Sequence, residues 1–240
     1  MDARLAAIDT STERLVLAVQ GPAGVVTLDE PGGERASARL LPALLDLLAA
    51  ARLAPANLDA VAFARGPGAF TGLRVACATA QGLALGIGRP VLALDSLLVV
   101  ADAARAEHQA LTDWWVAMDA RMDEVYAAAY RAEGGRWQVL QPPALWTLEA
   151  LNARWQAQPP RAVAGSAGPA FGERLALPAS ALRAEAAGRA GALMRLAQAA
   201  WRDGAAIDPA QALPLYLRDK VALTTAERAA AAVARDGGGR

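Results

Sequence analysis

The order in which hydrophobic periodicity changes along this chain constrains its fold more than any other feature. Three short strand-like runs, at 4–8, 15–19 and 25–28, precede a helical stretch at 36–52. Turn-forming segments at 10–14 and 21–24 separate the strands. A strand at 60–64 ends at Gly66-Pro67-Gly68, and a second helix runs over 72–86. A strand at 90–94 follows, and Ser96 begins a third helix reaching residue 106. The order then partly repeats. Strands are predicted at 115–118, 125–130 and 137–140, a helix at 147–155, a strand at 162–164 and a short helix at 168–174. A late helix at 189–201 is expected to pack back on the first unit.

Two successive βββαβα units are the pattern of the duplicated actin-like, sugar-kinase-like (ASKHA) α/β fold, with a reduced second copy. The expected division is a first domain over 1–105, completed by chain from 189–225, and a smaller second domain over 106–188. A flexible, Ala-rich tail is expected over 226–240. Architecture of this kind predicts fold better than function.

Composition narrows the chemistry. The 240 residues are 55% hydrophobic and 20% charged, enough to bury a core without disulfide staples. Lys+Arg 24 against Asp+Glu 24 leaves no net charge, so no global field attracts nucleic acid or an anionic membrane. Cys77 and His108 are the single cysteine and histidine, which excludes an intrachain disulfide, a Cys/His zinc cluster and an HExxH metalloprotease. Cys77 lies among small apolar residues and reads as a core filler. No signal peptide is visible, and the apolar stretch 75–88 is too short to span a bilayer. A cytoplasmic protein that does not engage membranes is expected.

Ile8-Asp9-Thr10-Ser11-Thr12 ends the first strand. In an actin-like ATPase that corner holds phosphate and a metal-bound water. Asp9, Thr10 and Ser11 are the candidates for a vestigial phosphate loop, although Ser11 stands where a glycine is expected. The alternative is that Asp9 and Thr12 organise a turn. Arg65–Arg74 (RGPGAFTGLR) joins a strand to a helix, and free N–H groups at such a junction can hold an anion. It matches neither a P-loop nor GxGxxG. The alternative is a rigid connector with positive φ at Gly68 or Gly72.

The first two helices carry more apolar surface than one core can cover. Leu40, Leu41, Leu44, Leu45, Leu47 and Leu48 span about 160° of arc, whereas about 100° suffices to face a core. No charge lies between Arg74 and Arg89 on the second helix. One side presents Val75, Thr79, Gly82 and Gly86, the other Leu73, Ala76, Ala80 and Leu83. A contact with another chain through Leu41, Leu45, Val75, Thr79, Gly82 and Gly86 is predicted, the alternative being burial within this chain. Asp119–Tyr126 reads as a polar hairpin with local Arg–carboxylate pairing. In the extended segment 213–220, Tyr216 and Leu217 can dock on the body, and Arg218 and Lys220 can meet RNA phosphate.

These segments together resemble the TsaB (YeaZ) family: IDTST at 8–12, GPGAFTGLR at 66–74, AQGLA at 80–84, residues 119–126 and PLYLR at 214–218. The similarity runs in order from about residue 4 to 225. It implies a role in making threonylcarbamoyladenosine, the modified base beside the tRNA anticodon. It also implies a non-catalytic activating subunit with no cofactor or metal of its own. Implied partners are a TsaD-type paralogue that transfers the threonylcarbamoyl group, a TsaE-type ATPase, tRNA through the complex, and a second copy when the chain is alone. Dimerisation through the first two helices is implied too. A histidine often found near the start of the first helix aligns with Ala36, and the metal-binding histidine pair of TsaD has no counterpart. Two other readings are an ASKHA-type small-molecule kinase or ATPase, using Asp9 and the turn Gly165-Ser166-Ala167-Gly168, and a hydrolase using Ser11 or Thr71.

Overall fold

The computed structural model describes residues 3–33, 36–184 and 188–218. Lys220 and the predicted tail lie outside the described residues. The first sheet contains β1 (Leu5–Asp9), β2 (Arg14–Gly21), β3 (Gly24–Pro31), β4 (Ala60–Gly66) and β5 (Val91–Asp95), in the order β3-β2-β1-β4-β5. β1 pairs antiparallel with β2 and parallel with β4. The second sheet contains β6 (Asp113–Asp119), β7 (Glu124–Glu133), β8 (Arg136–Thr147), β9 (Ala162–Ala164) and β10 (Leu182–Ala184), in the order β8-β7-β6-β9-β10. The strand order and pairing senses are the same in both, so the βββαβα unit is present twice. That duplicated arrangement is the actin-like ASKHA fold.

The helices are α1 (Ala36–Ala50), α2 (Phe70–Ile87), α3 (Ser96–Glu107), α4 (Leu148–Ala157), α5 (Ala167–Phe171) and α6 (Arg189–Arg202). Central strands buried on both faces read as continuous apolar runs, as in Leu5–Asp9 and Ala60–Gly66. Ala6 and Ile8 point to the face covered by α1 and α2, while Leu5 and Ala7 point to the face covered by α3 and α6. One side of α3 (Val99, Ala103) packs on the first sheet, in the core it shares with α6. Its other side (Leu97, Val100, Ala104) packs on Trp114, Val116 and Tyr130 of the second sheet. Helix α3 is therefore the shared wall between the two sheets, and α6 lies back on the first sheet as expected.

Several boundaries differ from expectation for identifiable reasons. β8 runs on through Pro142 and Pro143 because it is an edge strand whose pairing with β7 shifts register at this point, leaving neither proline a ladder partner. The expected helix at 168–174 is a five-residue α-helix followed by a 3₁₀ turn. The three-residue strand β10 carries no periodic signal. Helix α2 starts at Phe70, earlier than expected. Its 18 residues are long and apolar enough, by length and composition alone, to cross a membrane. Here its Leu73, Ala76, Ala80 and Ala84 are buried, the last three in the core beneath the first sheet.

Candidate functional site

The corner after β1 is built around a buried ion pair. Asp9 Oδ2 accepts from Arg189 Nη2 at 2.5 Å, with the side chains 1% and 7% exposed. Asp9 Oδ1 accepts from the Ser11 N–H at 2.7 Å, closing a local turn. Arg189 Nη1 donates to Thr12 Oγ1 at 2.8 Å. Both Asp9 oxygens are thus engaged by protein donors. The guanidinium, unforeseen in the sequence, stands against the carboxylate that a metal-bound water would need, beside the vestigial phosphate-loop candidates Thr10 and Ser11. Arg189 starts α6, far along the chain, and no local pattern announces it.

The glycine-rich loop closes over the same corner. The Ala69 N–H donates to Ser11 O at 2.7 Å, and Thr10 Oγ1 donates to Gly72 O at 2.7 Å. A Cβ on Gly72 would collide with the Thr10 carbonyl oxygen, and one on Gly68 with that of Ser11. The predicted positive φ at Gly68 or Gly72 is therefore wrong in detail. It falls at Gly66, φ 122°, where the Leu215 carbonyl oxygen would sit 2.6 Å from a Cβ. The loop's glycines serve close backbone approach more than an anion cradle.

Between the sheets lies a cleft of about 820 Å³, bordered by Thr12, Gly68, Phe70, Met118, Arg189 and Tyr216. Its far wall carries a second aspartate turn: Asp119 Oδ1 accepts from the Arg121 N–H at 2.8 Å, as Asp9 does from Ser11. Ser166, in the proposed nucleotide turn 165–168, accepts from the Asp119 N–H at 3.1 Å. The predicted hairpin pairing is only partly local. Arg121 pairs with Asp119 at 3.3 Å and with Glu13 of the first unit at 2.6 Å. Arg218 is taken up by Glu124 at 2.5 Å, with its side chain 16% exposed. Tyr216 does dock, with its ring 5.1 Å from Phe70. The Tyr130 hydroxyl donates to Asp95 Oδ2 at 2.5 Å, and burial pushes the Asp95 carboxyl up from its usual range.

The other sequence candidates lie on α1 and α2. On α1, Leu40, Leu44, Leu47 and Leu48 are buried, whereas Leu41 and Leu45 are 47% and 45% exposed. On α2, Val75 and Thr79 are half-buried and Gly82 and Gly86 exposed. A Cβ at either glycine would meet nothing within 4 Å. Leu85, missed by the sequence reading, is 59% exposed on the same helix. Ala36, at the start of α1, is buried. Cys77 is buried and its thiol is pushed up by burial. His108 ends α3 beside Trp114, and no group of three or more metal-ligating side chains occurs among the described residues.

Comparison with known proteins bears on this architecture. Residues 30–179 match the family model described as TsaD: tRNA N6-adenosine threonylcarbamoyltransferase. The tRNA threonylcarbamoyladenosine biosynthesis protein TsaB of Escherichia coli K12 is 35% identical over 154 residues, 64% of this chain and 66% of that protein. The TsaB of Haemophilus influenzae is 38% identical over 122 residues, covering 51% of each chain. The match thus spans less than two thirds of either relative. The solved structure of YeaZ from Pseudomonas aeruginosa superposes with a TM-score of 0.78 at 37% identity, covering 90% of this chain and 100% of that one. With the duplicated sheets, the glycine-rich loop and these likenesses together, the chain belongs to the TsaB (YeaZ) family.

Proposed function

We propose that this chain serves tRNA threonylcarbamoyladenosine biosynthesis in the cytoplasm as a non-catalytic, activating subunit. It docks on a TsaD-type paralogue through the exposed face of α1 and α2. The observation that carries this reading is exposed apolar surface on both helices: Leu41 and Leu45 on α1 and Leu85 on α2 stand exposed, and at Gly82 and Gly86 of α2 an incoming helix can approach the backbone closely. A TsaE-type ATPase joins that pair, tRNA is reached through the assembly, and the same face pairs two copies when the paralogue is absent.

The test is an omit-one reconstitution. TsaC, TsaD, TsaE, tRNA, ATP, threonine and bicarbonate are mixed with and without this chain, and threonylcarbamoyladenosine is quantified by mass spectrometry. Product that requires the chain supports the activating role; equal product without it overturns that role. The kinase or ATPase alternative has the size of the cleft in its favour. Against it stands the Asp9–Arg189 pair, which occupies the acid such an enzyme would use to organise metal. The hydrolase reading gains nothing: Ser11 is buried with Arg189 as its neighbour, and His108 lies at the far end of α3.

A further inference from the structure

Two segments that carry the family resemblance, 119–126 and 214–218, take no part in the α1/α2 face, yet the structure joins them to each other and to α2. Chain at 209–218 lies along α2. Gln81 Nε2 donates to Pro209 O at 2.8 Å, the Cys77 thiol to Ala212 O at 3.5 Å, and Arg74 Nε to the Tyr216 hydroxyl at 3.3 Å. Phe70 packs against Tyr216, with the ring centroids 5.1 Å apart and the planes tilted by 39°. Residues 70, 74, 77 and 81 form one stripe of the helix. Val75, Thr79, Gly82 and Gly86 are centred about 140° away around the same helix. The Leu215 N–H also bonds Arg65 O at 2.7 Å, fixing this strap to the end of β4.

The strap ends on a strained turn. Arg121, Met122 and Asp123 have φ of 64°, 57° and 59°, three consecutive non-glycine residues in the left-handed region. There each Cβ crowds the following carbonyl oxygen, and such a run persists only when its surroundings hold it. Arg218 is the most sheltered of those restraints, its side chain 16% exposed. Its Nη2 donates to Arg121 O at 3.2 Å as well as to Glu124, and its Nη1 lies 3.6 Å from Met122 Sδ. Glu13 and Arg174 hold the turn's other side chains from more exposed positions.

We infer that the strap 209–218 is a mechanical link between the docking helix and the strained β6–β7 turn. Loading of α2 by a partner resets that turn on the far side of the cleft. The inference rests on the docking reading above. The strained turn, held by Arg218, is the element on which this coupling acts.

The experiment is amide hydrogen exchange on the full chain, alone and with saturating TsaD-type paralogue, read by mass spectrometry over 119–126. Binding is followed separately by calorimetry. The turn's own bonds, Ala120 N–H to Glu124 O and Glu124 N–H to Arg121 O, are the reporters. In the free chain, Arg218→Ala is expected to speed their exchange about tenfold or more, with Arg218→Lys intermediate. Glu124→Gln gives an independent release from the opposite side. In the wild type, the partner is expected to change that exchange about threefold or more. In Arg218→Ala the partner should still bind, with no such change. Unaltered exchange in free Arg218→Ala overturns the clamp. Binding by the wild type without any change at 119–126 overturns the link while leaving docking intact. Failure of the wild type to bind overturns docking and, with it, the coupling.

Discussion

Asp9 shows how a residue type can point to one chemistry and its partner to another. An acid at the end of the first strand of an actin-like unit suggests a metal, but Arg189 converts it into half of a buried ion pair. Removing one partner leaves a buried charge alone. Arg189→Ala is therefore expected to lower unfolding stability by about 3–5 kcal/mol, whereas Asp9→Asn with Arg189→Met recovers most of that loss. Urea denaturation of the wild type and the two variants checks it. The glycines divide in the same way. Gly72→Ala drives a methyl into the Thr10 carbonyl and should cost about 1–3 kcal/mol, while Gly82→Ala, open to solvent within a helix, should gain about 0.5–1 kcal/mol. Asp95 makes a pH prediction. Because burial raises its carboxyl above the unfolded value, the folded chain holds that proton more tightly. Stability should therefore fall as pH rises from about 4 through the raised value, and then level off. Asp95→Asn should flatten this part of the profile. Equal slopes in the two proteins would show that Asp95 does not carry it.

At the scale of elements, α2 was the most legible from sequence. A charge-free run from Val75 to Gly88 between arginines cannot be satisfied by one sheet face. The structure gives its stripes different neighbours: the core beneath the first sheet, which Val75 also touches, the strap, and, at Gly82 and Gly86, solvent. Leucine spacing on α1 similarly separated Leu41 and Leu45 only after the core had claimed Leu40, Leu44, Leu47 and Leu48. Gly82→Arg and Leu45→Glu should each abolish complex formation with the TsaD-type paralogue in size-exclusion chromatography, with thermal unfolding unchanged within a few degrees. Full complex formation by both variants would remove the α1/α2 face from the proposal. Short elements were less legible. β10 and α5 are too short for a period to register, and β8 runs through prolines at an edge, where its pairing with β7 shifts register.

For the molecule as a whole, duplication explains more than either half does alone. Two sheets of the same order present two aspartate turns, Asp9 and Asp119, to opposite walls of one cleft. That cleft is large enough for a small molecule, but its acidic corners are already engaged by Arg189 and Arg121. Calorimetric titration of the isolated chain with Mg-ATP is accordingly expected to show no saturable, stoichiometric heat; a clear one-to-one isotherm would revive the kinase reading. The sequence alone determined the element order, the doubling and the surplus apolar surface, because these are written in local periodicity, turn chemistry and the absence of charge. Only tertiary structure decided that Arg189 neutralises Asp9, that Gly68 and Gly72 serve close approach instead of a left-handed turn, and that Arg218 clamps a hairpin across the cleft. Those pairings join residues separated by tens to nearly two hundred positions. They depend on where two sheets and a shared helix bring the chain together, and no local pattern encodes that.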